Sequence, residues 1–261
     1  MDAICDDLTA EHEALDRIVA ERDVLGRPTP APGWTVADQI SHLWFFDQRA
    51  LLALTDPDAF AADAVELLAE LERTGGTDGS VAAGRALGDD ELLASWRRDR
   101  AGLVEHARLV DPRSRVPWYG PAMSARSFLT ARLMETWAHG QDVVDGLGVD
   151  REPTDRLRHV AHLGVGARPF SYVANGRAVP EQPVRVELTA PSGEAWTWGP
   201  EEAAGRVAGP ALDFCLLVTQ RRHRDDVRLE VTGAAASEWM DIAQAFAGPP
   251  GVGRRPGQFT A

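Results

Sequence analysis

The sequence predicts an α+β protein, a bundle of long helices followed by a small α+β domain. Two observations set this class. Apolar residues recur at helical spacing through the first part of the chain, as at Ile4, Leu8, Leu15, Ile18 and Val19. After about residue 175 the texture changes, and Val184, Val186 and Leu188 alternate with polar neighbours as in a strand. The length of 261 residues accommodates one large domain or two small ones. We therefore place a helical domain over residues 1–175 and a small α+β domain over 180–261.

The elements follow in order. The first helix ends before "PTPAPGW", where three prolines and a glycine break the chain. Thr35 is then an N-cap, and Asp38 completes a capping box with Asp in place of Glu. This second helix runs through "VADQISHLWFFDQRALLAL" and carries His42. A third helix covers residues 59–71, and "RTGGTDGSVAAGRALG" reads as loop or weak helix. "DDELLASWRRDRAGLVEHARLV" is amphipathic and starts with acids, as the helix dipole prefers. "DPRSRVPWYGPAM" reads as a long loop. Ser124 opens a helix that ends near Gly146 and Gly148, and a further helix covers residues 154–167. Such helices suggest an up-and-down bundle.

In the second part, "PVRVELTAPSGEAWTWGP" reads as a β-hairpin turning at Pro191, Ser192 and Gly193. "GPALDFCLLVTQRRH" is helical, "DVRLEVTG" a short strand and "AASEWMDIAQAF" a closing helix. The expected order is ββαβα, with "GPPGVGRRPGQFTA" as a loose tail.

Composition narrows the function classes. The hydrophobic fraction of 44% and charged fraction of 26% are ordinary for a globular protein. The net charge of −13, with Arg far more frequent than Lys, argues against nucleic acid and anionic membranes as partners. Cys5 and Cys215 suggest no disulfide framework. No secretory signal or transmembrane stretch is visible, so the protein reads as cytoplasmic. No serine nucleophile elbow, P-loop or GxGxxG sequence is present to support a serine hydrolase or nucleotide binder.

The stretch "LMETWAHGQD" places Glu135 and His139 four residues apart, on one helix face. Phe128, Arg132 and Asp142 fall on or near that face. His42 sits among Ile40, Leu43, Phe45 and Phe46, where an imidazole needs partners for its ring nitrogens. If the two helices are neighbours, His42, Glu135 and His139 converge as two histidines and a carboxylate. That set is a familiar catalytic zinc arrangement and also suits nickel or non-haem iron. Asp142 is then placed either to accept a hydrogen bond from a ligand histidine or to contact a neighbouring helix. By spacing alone, a salt-linked helix-face pair with a satisfied core histidine is the favoured reading. His159 and His162 read as a partly exposed helix face, with a second site as the alternative, and His12, His106 and His223 as surface. Cys215, in "FCLLV", reads as buried and inert.

"GWTVADQISHLWFFDQRAL", followed later by "LMETWAHGQDVVDGLG", resembles the N-terminal domain of the mycothiol-dependent maleylpyruvate isomerase family, part of the DinB-like superfamily of metal-binding four-helix bundles. That pattern has a Trp before the second helix, a His midway along it and E-x-x-x-H-x-x-D on the last bundle helix. Trp34, His42, Glu135, His139 and Asp142 fill those positions. The resemblance implies a divalent metal, usually zinc, on His42, Glu135 and His139. "GPALDFCLLVTQR" resembles the helix that in the isomerase ends with an arginine facing the metal cleft, and Arg221 matches it, with Arg222 the alternative. Gln220, where glycine is expected, and Trp137 depart from the isomerase and point to a separate branch of the family.

The resemblance implies an enzyme that uses the metal to activate a low-molecular-weight thiol of the mycothiol type. The reaction class is isomerisation or thiol transfer on a small anionic substrate, whose carboxylate Arg221 would hold. Two other readings stay open: a hydrolase that uses metal-bound water, and a non-catalytic protein that binds metal or a small ligand.

Overall fold

A computed structural model describes residues 1–20, 23–74 and 79–259. The chain divides into two compact units, Met1–Asp150 and Arg151–Ala261.

The first unit is built on a core of the helices Asp2–Val19, Val36–Thr55, Asp89–Leu109 and Ala125–Leu147. Helix α1 (Asp2–Val19) buries Ile4, Leu8, Leu15 and Val19 along one stripe. Helix α2 (Val36–Thr55) opens with the expected capping box: the Thr35 hydroxyl accepts from the Asp38 N–H, and the Asp38 carboxylate accepts from the Thr35 N–H. Helices α3 (Pro57–Thr74) and α4 (Gly79–Arg85) lie against α2. Helix α5 (Asp89–Leu109) starts with three acids in its first turn. Helix α6 (Ala125–Leu147) is capped by Ser124, whose hydroxyl accepts from the Ser127 N–H, and ends at Gly148 with φ +64. Helices α1 and α2 each pack on both α5 and α6. Leu15, Val36, Ile40, Leu43, Leu92, Trp96 and Val143 close the core between them. Burying a side chain of this size stabilises by about 1.5–3 kcal/mol, which outweighs modest helix propensity.

Two features of this unit differ from the sequence reading. The stretch read as loop or weak helix contains α4, held because Ser80, Val81 and Gly84 pack on α2. A Cβ on Gly84 would lie 2.2 Å from Ser41 Oγ, so only glycine permits this approach. The long loop before α6 contains a minimal antiparallel pair, β1 (Arg115–Val116) and β2 (Met123–Ser124).

The second unit begins with α7 (Leu157–Gly166) and α8 (Arg168–Ala174), earlier than the change in texture near residue 175 suggests. The reason is packing. Gly164 of α7 seats so closely that a Cβ there would lie 2.7 Å from Val218. The hairpin of β3 (Val184–Thr189) and β4 (Ala195–Trp198) forms in the expected place. A further strand, β5 (Gly205–Pro210), was not foreseen. It pairs parallel to β3 and leads directly into α9 (Ala211–Val218). β6 (Glu230–Thr232) and α10 (Ala234–Ile242) complete a four-stranded sheet of order β4-β3-β5-β6. From β3 onward the order is thus βββαβα. β5 carries two glycines and a proline, so its sequence has little strand propensity, and ladder pairing on both sides decides its conformation.

Among the described residues no helix is long and apolar enough to cross a membrane. Cys5 and Cys215 are free thiols, both buried, and burial pushes the Cys215 thiol up.

Candidate metal centre

α2 and α6 bring His42, Glu135 and His139 together. Each offers one ligand atom, and these atoms lie within 4.8 Å of one another. His139 Nε2 is 3.4 Å from Glu135 Oε2, as the i, i+4 spacing requires. The two imidazole centroids are 4.4 Å apart and tilted by 41°. All three side chains are half-buried. No other group of three or more His, Cys, Asp or Glu side chains among the described residues meets the same condition.

The hydrogen bonds behind the rings decide which nitrogen faces the site. Thr29 Oγ1 donates to the Trp34 carbonyl, so it accepts from Gln39 Nε2, 3.0 Å away. That leaves Gln39 Oε1 directed at His139 Nδ1, at 2.6 Å. An amide oxygen only accepts, so His139 carries a proton on Nδ1 and points Nε2 toward Glu135. His42 Nδ1 meets Ser80 Oγ at 2.8 Å, which anchors that ring as well. Both rings therefore meet one condition that metal ligands require: an Nδ1 anchored by a neighbouring side chain. Two neutral imidazoles and one carboxylate suit zinc, nickel or iron in the divalent state and leave coordination positions for a substrate or water.

Local structure explains each placement. Gln39 lies one turn before His42 and is fully buried. Ser80 reaches His42 because Ser41 Oγ donates to the Ser80 and Val81 carbonyls and anchors the first turn of α4 on α2. Trp34 stacks on His139 at 18° and lies 5.1 Å from His42, while Phe46 meets His42 edge-on at 4.8 Å. These rings form an apolar wall on the ligands and strengthen electrostatic interactions inside the site.

Gln39 and Ser80 were not singled out from the sequence. For Gln39 a signal existed, since it precedes His42 by three residues on the same helix. For Ser80 none did, because it lies in the segment whose helix depends on tertiary packing. Asp142 is buried on α6, one turn beyond His139. The acceptor observed at His139 Nδ1 is Gln39, not a carboxylate. Arg221 belongs to the second unit. It follows the last turn of α9, where Gln220 takes φ +60, the left-handed conformation for which glycine was expected. Arg221 N–H donates to the Leu216 carbonyl, and its Nη1 donates to the Thr219 carbonyl at 2.7 Å. The guanidinium of Arg222 lies over the Phe259 ring. His159 and His162 are half-buried and exposed, respectively, and His162 accepts from Trp198 Nε1. His12, read as a surface residue, is only 2% exposed.

Comparison with known proteins follows the same lines. Residues 8–144 match the family described as mycothiol maleylpyruvate isomerase N-terminal domain. Residues 180–231 match a family described as wyosine base formation. Two uncharacterized proteins of Mycobacterium tuberculosis, from strains CDC 1551 / Oshkosh and ATCC 25618 / H37Rv, are each 49% identical over 252 residues, covering 95% of this chain and 96% of theirs. The crystal structure of the mycothiol-dependent maleylpyruvate isomerase aligns with a TM-score of 0.57 over 88% of this chain and 92% of that one, at 16% identity. A mutant of the same isomerase aligns at 0.56. At that identity the likeness is one of fold.

Proposed function

This chain belongs to the mycothiol maleylpyruvate isomerase N-terminal domain family, and on that premise we propose that it is an enzyme whose His42, Glu135 and His139 hold a divalent metal, zinc in first place, to activate a low-molecular-weight thiol of the mycothiol type. The convergence of three ligand atoms, with both histidine Nδ1 atoms already engaged, carries this reading. When bound, the metal supplies a Lewis acid that lowers the pKa of a thiol toward neutrality.

The chain's own residues do the rest. Gln39 holds His139 in the binding tautomer, and Ser80 anchors the His42 ring at Nδ1. Trp34 and Phe46 exclude water from one side of the ligands. We assign the substrate carboxylate to Arg221, whose planar fork matches a carboxylate in two parallel hydrogen bonds. The reaction class is addition of a thiolate to a double bond conjugated to a carbonyl, whose electrons move onto the carbonyl oxygen. Rotation and loss of the thiolate then complete a cis–trans isomerisation, and uptake of a proton at the enolate carbon with the adduct retained makes the same chemistry a thiol transfer.

The same donor set also favours a second reading, hydrolysis by activated water. Thiol dependence of turnover separates the two. Elemental analysis of the purified protein tests their common basis: about one equivalent of metal is expected in the wild type and none in His42→Ala. A wild-type protein that takes up no metal even after loading with zinc, nickel or iron(II) overturns both. Arg221→Lys is expected to raise KM for a carboxylate substrate about tenfold with kcat largely kept, because the point charge remains and the fork is lost.

A further inference from the structure

A buried ion pair lies beside the candidate metal centre and takes no part in it. Asp47 of α2 is fully buried, and Arg132 of α6 is 4% exposed. Arg132 Nη2 donates to Asp47 Oδ1 at 2.8 Å, and its Nε reaches the same oxygen at 3.2 Å. The second Asp47 oxygen is 3.8 Å from Nε2 of the buried His12 on α1. Trp96 of α5 meets the His12 ring edge-on, and Arg100 of α5 donates to the His12 carbonyl. Four bundle helices thus converge on one carboxylate. Burial raises the Asp47 carboxyl while the Arg132 charge pulls against it, and burial together with Arg100 and Arg132 keeps His12 neutral.

The placement of this pair along the helices is informative. α2 and α6 make two side-chain to side-chain hydrogen-bonded contacts, Gln39 with His139 and Asp47 with Arg132, and Arg132 Nη2 also donates to the Leu43 carbonyl of α2 at 3.5 Å. The residue numbers rise on one helix as they fall on the other, so the helices are antiparallel. On each helix the two contacts are about two turns apart. His42 lies between them on α2, and Glu135 lies between them on α6. The ligands are bracketed by two interhelical clamps. A slip of one residue along either helix shifts it by about 1.5 Å and turns it by about 100°, whereas metal ligands tolerate only a few tenths of an ångström. A buried ion pair is poor evidence of stability, since apolar residues of similar volume often replace one without loss. The best-attested use of a buried polar group is to select register.

We propose that Asp47 and Arg132 are positioning residues: their pair, seated on His12, sets the register of α2 against α6 and thereby the convergence of His42 with Glu135 and His139. The proposal rests on the metal reading above, and its test separates the two. Wild-type protein and the double variant Asp47→Leu/Arg132→Met are unfolded by denaturant in the metal-free form. Both are then titrated with zinc against a chromophoric chelator. The expected result is an unfolding midpoint near that of the wild type with zinc affinity at least tenfold weaker, and a cobalt(II) visible spectrum altered in position or intensity. A purely structural role would move stability and leave the affinity of the folded protein alone. A folded double variant that binds zinc within twofold of the wild type overturns the proposal. A wild type that binds none of zinc, nickel and iron(II) instead overturns the metal reading beneath it. Should the double variant not fold, Arg132→Lys decides, because it keeps the charge but not the fork: weakened zinc binding is expected, and affinity equal to that of the wild type refutes the clamp.

Discussion

Replacing Gln39 with Leu keeps the side-chain volume nearly constant and removes the acceptor at His139 Nδ1. Two outcomes compete. The Nδ1–H stays buried without its partner, which costs about 1–3 kcal/mol. Alternatively the proton moves to Nε2, where Glu135 Oε2 is 3.4 Å away and accepts it. The second is cheaper and places a proton where the metal would bind. Zinc must then displace that proton, and its affinity falls. Partners of ligand histidines contribute about 10–100-fold in metal affinity, or ~1.4–2.8 kcal/mol at about 1.4 kcal/mol per decade. We expect Gln39→Leu to lie in that range in a competition titration with a zinc chelator. Gln39→Glu, which restores an acceptor, is the control and is expected to bind within about threefold of the wild type or more tightly. The nitrogen-15 shifts of His139 in the metal-free Leu variant report the tautomer directly. If Gln39→Leu binds zinc as tightly as the wild type with the proton still on Nδ1, the tautomer argument is wrong.

Three other predictions rest on separate features. Gly84→Ala puts a Cβ 2.2 Å from Ser41 Oγ, so α4 must shift off α2. We expect a loss of about 1–3 kcal/mol in denaturant unfolding, with weaker zinc binding because Ser80 moves with α4. His12 has a folded pKa far below its ordinary value of 6.5, first through burial and then through Arg100 and Arg132. Below that pH the unfolded chain binds a proton that the folded chain refuses, so stability falls as pH drops through about 6.5. The loss levels off below the folded pKa. Comparison of metal-free wild type with His12→Gln across pH 5–8 isolates this slope, and superimposable curves would exclude it. Gln220→Gly relieves a left-handed conformation and is expected to be neutral within about 1 kcal/mol, since glycine's extra unfolded-state freedom offsets the relief. Gln220→Val, β-branched, is expected to lose about 1–2 kcal/mol by the same unfolding assay, and equal stability of the two variants would contradict the backbone argument.

Short-range rules made part of this protein legible. The capping box at Thr35 and Asp38, the Ser124 cap and the Gly148 stop each involve residues within a turn of one another, and each lies where expected. The pair Glu135 and His139 is of the same kind, because i, i+4 on one helix needs no tertiary knowledge. Where the sequence reading missed, the deciding contact lay far away along the chain. α4 is helical because it rests on α2, and β5 is a strand because β3 and β6 flank it. His12 was read as surface because of the acids beside it, Glu11 and Glu13, although Leu8, Leu15 and Val19 put it in phase with the buried stripe of α1.

The amino-acid sequence by itself determined which residue types could bind a metal and on which helices they sit. The tertiary structure alone decided that His42 meets Glu135 and His139, that Gln39 and Ser80 choose the nitrogen each imidazole presents, and that Asp47 and Arg132 lie in the core between the same two helices. Helical periodicity assigns a side chain to a face, but the register between two helices is set by how their side chains pack, to within fractions of the 1.5 Å rise per residue.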